Sequence, residues 1–139
     1  MGGNTLRMKY FICNIDNINL GIPAEWTERI ISSNRTQTAV YEESSYEETS
    51  IGAYISIPAL LQLKETSAPH GLVFKSADPV KTVLLTPKIE IELEIPQESI
   101  HRLPLALTEK LAFFSGVYFT GESVILILDP EKLLESITS

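Results

Sequence analysis

Apolar and polar residues alternate most regularly over Ile89-Glu90-Ile91-Glu92-Leu93-Glu94-Ile95. A period of two places the isoleucines and leucine on one face of a strand and the glutamates on the other, whereas a helical period would scatter both types around the axis. Glutamates on a wet face also discourage pairing with foreign strands. A second period-two pattern joins Tyr10 and Ile12 to Ile18, Leu20 and Ile22, which predicts a hairpin over residues 9–22 with its turn at Asp16-Asn17. Pro23 then predicts the start of a short helix, with Trp26 and Ile30 on one face, Glu25 four residues before Arg29, and an end at Ser32-Ser33-Asn34.

Residues 34–50 are polar and acidic, with Glu42, Glu43, Glu47 and Glu48 around Tyr41 and Tyr46, and read as a long surface loop. Strand material resumes over 53–61, where Pro58 marks an edge, a bulge or the strand end, with a helical turn over Ala59 to Leu63. Val73-Phe74 and Val83-Leu84-Leu85 supply further strands, separated by breaks at Lys64 to Pro69 and at Ala77-Asp78-Pro79. A brief helix is expected near Thr108 to Leu111. Residues 116–119 and 123–128 predict a hairpin around Thr120-Gly121-Glu122. Its second strand is apolar on both faces, which predicts a central position and a buried Leu126. Asp129 reads as an N-cap and Pro130 as the first residue of a C-terminal helix that buries Leu133, Leu134 and Ile137. The expectation is one mostly β domain over 1–139, with two β-rich lobes separated by a break near residues 64–72.

The order of these elements resembles that of the CheW-like family, the coupling adaptors of bacterial chemotaxis. The likeness is carried by Ser115 to Phe119 followed by Gly121 and Val124 to Leu134, by Phe11 to Ile22 running into Pro23-Ala24-Glu25-Trp26, by Ser56 to Leu63, and by Ile95 to Ile100 with Leu103-Pro104. It implies two small five-stranded β-barrel lobes with a shared hydrophobic core and short helices. By the same resemblance, the expected function is non-catalytic bridging of a chemoreceptor's cytoplasmic tip and a histidine kinase. The family carries an Asn-x-Arg-Gly-type turn before its Pro-containing strand, and here Thr49-Ser50-Ile51-Gly52-Ala53-Tyr54 stands in its place. Tyr54, Ile57 and Pro58, beside that departure, are the expected protein-binding residues. Two other readings are a regulatory domain that takes a small molecule between its lobes and a homo-oligomeric structural protein. A single β-barrel or a sandwich is the alternative fold.

Charge and candidate chemistry narrow this picture. Acidic residues outnumber basic ones 18 to 11, and Arg29, Arg35, Lys75 and Lys81 are scattered among acids, so no basic footprint for nucleic acid is expected. The apolar runs fall far short of a bilayer span, and the first residues lack a signal-like apolar core, which predicts a cytoplasmic chain without membrane insertion. Met1-Gly2 is not followed by Ser or Thr at position 6, where Leu6 stands, so myristoylation is not expected. His70 and His101 have no Cys, Asp or Glu at ligand spacing, which argues against a metal site. His70 is expected in a loop and His101 on a connection. Cys13, the one cysteine, reads as a small buried hydrophobe. No glycine run suits a phosphate, and the carboxylates of 89–95 face solvent, so neither a cofactor nor a catalytic residue is expected.

Overall fold

The computed structural model describes residues 6–15, 17–32, 41–43, 51–61, 68–75, 81–103 and 112–138. The predictions at Asp16, Tyr46, most of 64–69, Ala77 to Pro79 and Thr108 to Leu111 lie outside them, as do the side chains of Tyr41 and Ile137. Two compact units emerge, one from residues 1–25 together with 90–139 and the other from residues 26–89. The chain therefore passes between units at 25–26 and again at 89–90, whereas strand His70–Phe74 lies within the second unit.

The first unit opens with the predicted hairpin. Strand β1 (Arg7–Ile15) pairs antiparallel with β2 (Ile18–Pro23), with Phe11 opposite Ile22 and Cys13 opposite Leu20. Asn17 takes a positive φ of 70°, a conformation that asparagine tolerates better than most residues, and so supports the tight turn. The remaining strands come from the other end of the sequence. They are β8 (Ile89–Pro96), β9 (Phe114–Thr120) and β10 (Ser123–Leu128), in the sheet order β8-β1-β2-β10-β9. Strand β10 lies parallel to β2, with Leu126 opposite Leu20, and antiparallel to β9. A 3-10 turn, Gln97–Ser99, follows β8. Tyr10, Ile12, Ile95, Ile125 and Ile127 form the buried core of this unit, with Met8, Leu93, Ile100 and Tyr118 packed around them.

The second unit holds β3 (Thr27–Ser32), β4 (Tyr41–Glu43), β5 (Ile51–Ser56), β6 (His70–Phe74) and β7 (Lys81–Thr86) in the order β3-β6-β7-β5-β4. Strands β5 and β7 are parallel and the other neighbours antiparallel. Helix α1 (Ile57–Leu60) follows β5. Tyr54, Ala68, Val73, Val83 and Leu85 form a core cluster here.

Four expectations need correction. Neither sheet closes into a barrel: each is an open mixed sheet, edged by β8 and β9 in the first unit and by β3 and β4 in the second. In the first unit β8 and β9 are not neighbours in the sheet. The backbone of His101 bridges Val117 of β9, with both N–H···O bonds at 2.8 Å, so one short link spans what a barrel would seal along its length. The helix expected after Pro23 shrinks to a 3-10 turn, Ala24–Trp26, and Thr27–Ser32 becomes strand β3. Strand β6 offers that segment an antiparallel partner, with a register shift between Thr27 and Arg29, and β-branched Thr27, Ile30 and Ile31 suit a pleated surface. Arg29 approaches Glu28 at 3.7 Å, and Lys81 holds the same carboxylate at 3.3 Å. Within the supposed acidic loop, Tyr41–Glu43 pairs with β5 as a strand. Leu126 is half-buried, whereas Ile125 and Ile127 on the opposite face of β10 are buried.

Other predictions hold locally. Helix α2 (Pro130–Thr138) is capped as its sequence requires, for the Lys132 N–H donates to Asp129 Oδ1 at 3.2 Å and Leu133 is buried. Gly121, with φ 60°, turns the β9–β10 hairpin without the steric cost a side chain would bring. Gly116 makes a close approach possible, since a Cβ there would stand 2.6 Å from the carbonyl oxygen of His101.

Candidate functional site

The residues expected to bind protein lie where β5 becomes α1. Ser56 caps the helix by accepting the Ala59 N–H at 3.3 Å, and the Leu61 N–H donates to the Ile57 carbonyl at 3.0 Å. Pro58 sits in the first turn, where its missing N–H has no intrahelical partner to lose. Tyr54 is 2% exposed, Ile57 is 0% exposed and Pro58 is buried, so these three side chains support the turn from within. Ala59, Leu60 and Leu61 are the half-buried side chains at this place. Where the family carries its Arg-containing turn, Ile51-Gly52-Ala53-Tyr54 is part of β5, paired with β7.

A second surface escaped the sequence reading. On the outer face of the β9–β10 hairpin, Phe119 stands opposite Val124 and Val117 opposite Leu126. Phe119 is 56% exposed and Val124 46% exposed, while Val117 and Leu126 are half-buried. The His101 ring lies against Phe119 with centroids 5.5 Å apart, in a tilted arrangement typical of aromatic contacts. The signal was present in the sequence. Strand β10 is apolar on both faces because one face fills the core and the other forms this patch, rather than because both are covered.

Candidate chemistry is sparse. Cys13, the one cysteine of the chain, is fully buried. His70 is in strand β6 rather than in a loop, opposite Ser32 and Thr86, because the backbone there pairs on both sides. Among the described residues no group of three or more His, Cys, Asp or Glu converges as a metal site would require. Glu90, Glu92 and Glu94 are exposed, and Lys9 reaches Glu92 at 3.6 Å. The Tyr10 hydroxyl is pushed above its ordinary pKa by burial, an effect opposed by the hydrogen bond to Gln97 and reinforced by the nearby charge of Glu25. Gln97 Nε2 donates to that hydroxyl at 3.1 Å and to the Ile95 carbonyl at 3.2 Å, which makes the phenol a structural tie beneath the sheet. Among the described residues no helix is long and apolar enough to cross a membrane.

Comparison with known proteins separates sequence from fold. No family model matches the chain, and no curated protein matches it in sequence. Among solved structures, the scaffolding protein TtCheW from Thermoanaerobacter tengcongensis superposes with a TM-score of 0.66 at 14% identity, over 88% of this chain and 84% of that one. The chain thus has a CheW-like fold, at low sequence identity to that structural neighbour.

Proposed function

We propose that this chain is a non-catalytic protein–protein adaptor, one that couples a chemoreceptor's cytoplasmic tip to a histidine kinase. The observation that carries the reading is the fold-level likeness to a protein described as a scaffold, extending over most of both chains. The exposed apolar pair Phe119 and Val124 supports it, because apolar side chains clustered on an otherwise polar surface favour burial against another protein. In this reading the turn built on Tyr54, Ile57 and Pro58 contributes through the half-buried Ala59, Leu60 and Leu61 that it presents. Residues 1–139 act as one adaptor domain, in the cytoplasm, where both partners expose the relevant parts.

Without the guanidinium of the family's Arg-containing turn, the contact rests on apolar burial more than on directed charge-assisted hydrogen bonds. Its affinity should therefore change little with ionic strength. Calorimetric titration of the purified chain with a receptor-tip fragment and with the kinase tests this, alongside Phe119→Asp and Leu60→Asp variants whose fold is checked by circular dichroism. Binding that at least one folded variant weakens by about tenfold or more, roughly 1.4 kcal/mol, is the expected result. Absence of binding to either partner, or binding unaffected by both substitutions, would overturn the reading.

A further inference from the structure

Strand β8 is terminal in the order β8-β1-β2-β10-β9, and a terminal strand turns the backbone N–H and C=O of every second residue away from its one neighbour. Beside it lies a trough of about 380 Å³, whose lining includes Ile91 and Leu93 of β8, Tyr118 and Thr120 of β9, and Ile12 and Ile125 of the core. The two faces of β8 differ in chemistry. Ile91, Leu93 and Ile95 share the inner face, which passes from a buried Ile95 to an Ile91 that is 54% exposed, and Glu92 and Glu94 stand exposed on the other. The His101–Val117 bridge lies beyond Pro96, at the end of β8 opposite Ile91.

The chain itself shows what pairs with such a strand. On β1, the neighbour of β8, Met8, Tyr10 and Ile12 belong to the core, Arg7 and Lys9 are exposed, and Lys9 reaches Glu92 at 3.6 Å. Apolar residues thus meet the inner face of β8 and basic ones its glutamates, as cross-strand pairing favours. We propose that the outer edge of β8 binds an extended peptide segment of a partner protein in which basic and apolar residues alternate, added beside β8 as a further strand. Its apolar side chains enter the trough over Ile91 and Leu93, and its basic side chains lie across from Glu92 and Glu94. The glutamates make the edge selective. An acidic strand meets like charges, and a wholly apolar one strips water from the carboxylates without replacing it. The chain's net charge of -7 favours the approach of a basic segment. The site is built from residues of the first unit alone and does not depend on the adaptor reading.

Amide and methyl NMR of the full chain tests the proposal with three capped peptides. One has the sequence Lys-Val-Lys-Ile-Lys-Val-Lys, one replaces each Lys by Glu, and one has the first composition in the order Lys-Lys-Val-Ile-Val-Lys-Lys. The first should shift the methyls of Ile91 and Leu93 and the amides of Glu92 and Glu94 saturably, with peptide–β8 backbone contacts in nuclear Overhauser spectra, while the methyls of Val83 and Leu72 in the second unit stay in place. The other two should bind about tenfold or more weakly. Glu94→Lys, at an exposed position, should weaken the first peptide by a similar factor and strengthen the Glu-containing one, with the fold checked by the unchanged second-unit signals. The proposal is overturned if the β8 signals do not move, if the Glu-containing peptide binds as well, or if Glu94→Lys leaves the preference intact. Equal binding of the reordered peptide also overturns it, for then only net charge is read. The same holds if the β8 signals shift with protein concentration alone as the hydrodynamic size doubles, for then a second copy of the chain occupies the edge.

Discussion

Ile127 and Leu126 are neighbours in β10 with different surroundings. Ile127 points into the core beside Ile12 and Ile125, whereas Leu126 faces outward across from Val117 and is half-buried. Truncating Ile127 to Ala removes core volume and leaves a cavity, which should cost about 2–5 kcal/mol in chemical denaturation. Leu126→Ala should cost less than half as much, because solvent already reaches the site. Equal losses at the two positions would mean that the outer face of the hairpin is as well covered as the inner one. Gly116 and Ser56 act at the same scale. The first lets the backbone of His101 approach β9, and the second ends one element and begins the next.

At the scale of elements, local signals succeed where the chain supplies its own partner and fail where a distant strand competes. The cap of α2 is local. Asp129 satisfies the Lys132 N–H, and Pro130 occupies a position with no hydrogen bond to lose. Asp129→Ala should destabilise the protein by about 0.5–2 kcal/mol, while Asp129→Asn, which keeps an acceptor, should cost little. Urea denaturation of both variants checks this, and equal losses would assign the effect to the charge of Asp129 rather than to its hydrogen bond. Thr27–Ser32 shows the opposite case. Its side-chain spacing allows a helical turn, yet antiparallel pairing with β6 draws the same residues into an edge strand. Burial changes gradually along β8, from an exposed Ile91 to a buried Ile95, although its alternation in sequence is uniform.

For the whole molecule, chain order and spatial order differ. The first unit joins residues 1–25 to residues 90–139, so the N-terminal hairpin finds its neighbours β8 and β10 more than 60 residues away. A fragment of residues 1–72 lacks three of that unit's five strands, and a fragment of 73–139 lacks the other two. Neither fragment alone should show a cooperative unfolding transition, since non-local pairing supplies most of each sheet. A cooperative urea transition from either one would contradict this arrangement.

The sequence by itself determined the features that depend on near neighbours. The β1–β2 and β9–β10 hairpins, the wet glutamate face of β8, the break at Pro58, the buried Cys13 and the capped C-terminal helix all follow from spacing, turn residues and the loss of a proline N–H. The resemblance to CheW-like proteins was also legible, as an ordered series of individually weak motifs whose fold the structural comparison matches. Tertiary structure alone decided that the sheets stay open, that 41–43 is a strand, that Tyr54, Ile57 and Pro58 point inward, and that Phe119 and Ile91 face solvent. The physical reason is common to all four. An apolar side chain has the same pattern in sequence whether it fills a core or lines a surface, and only the strands that arrive from elsewhere in the chain determine which face they cover.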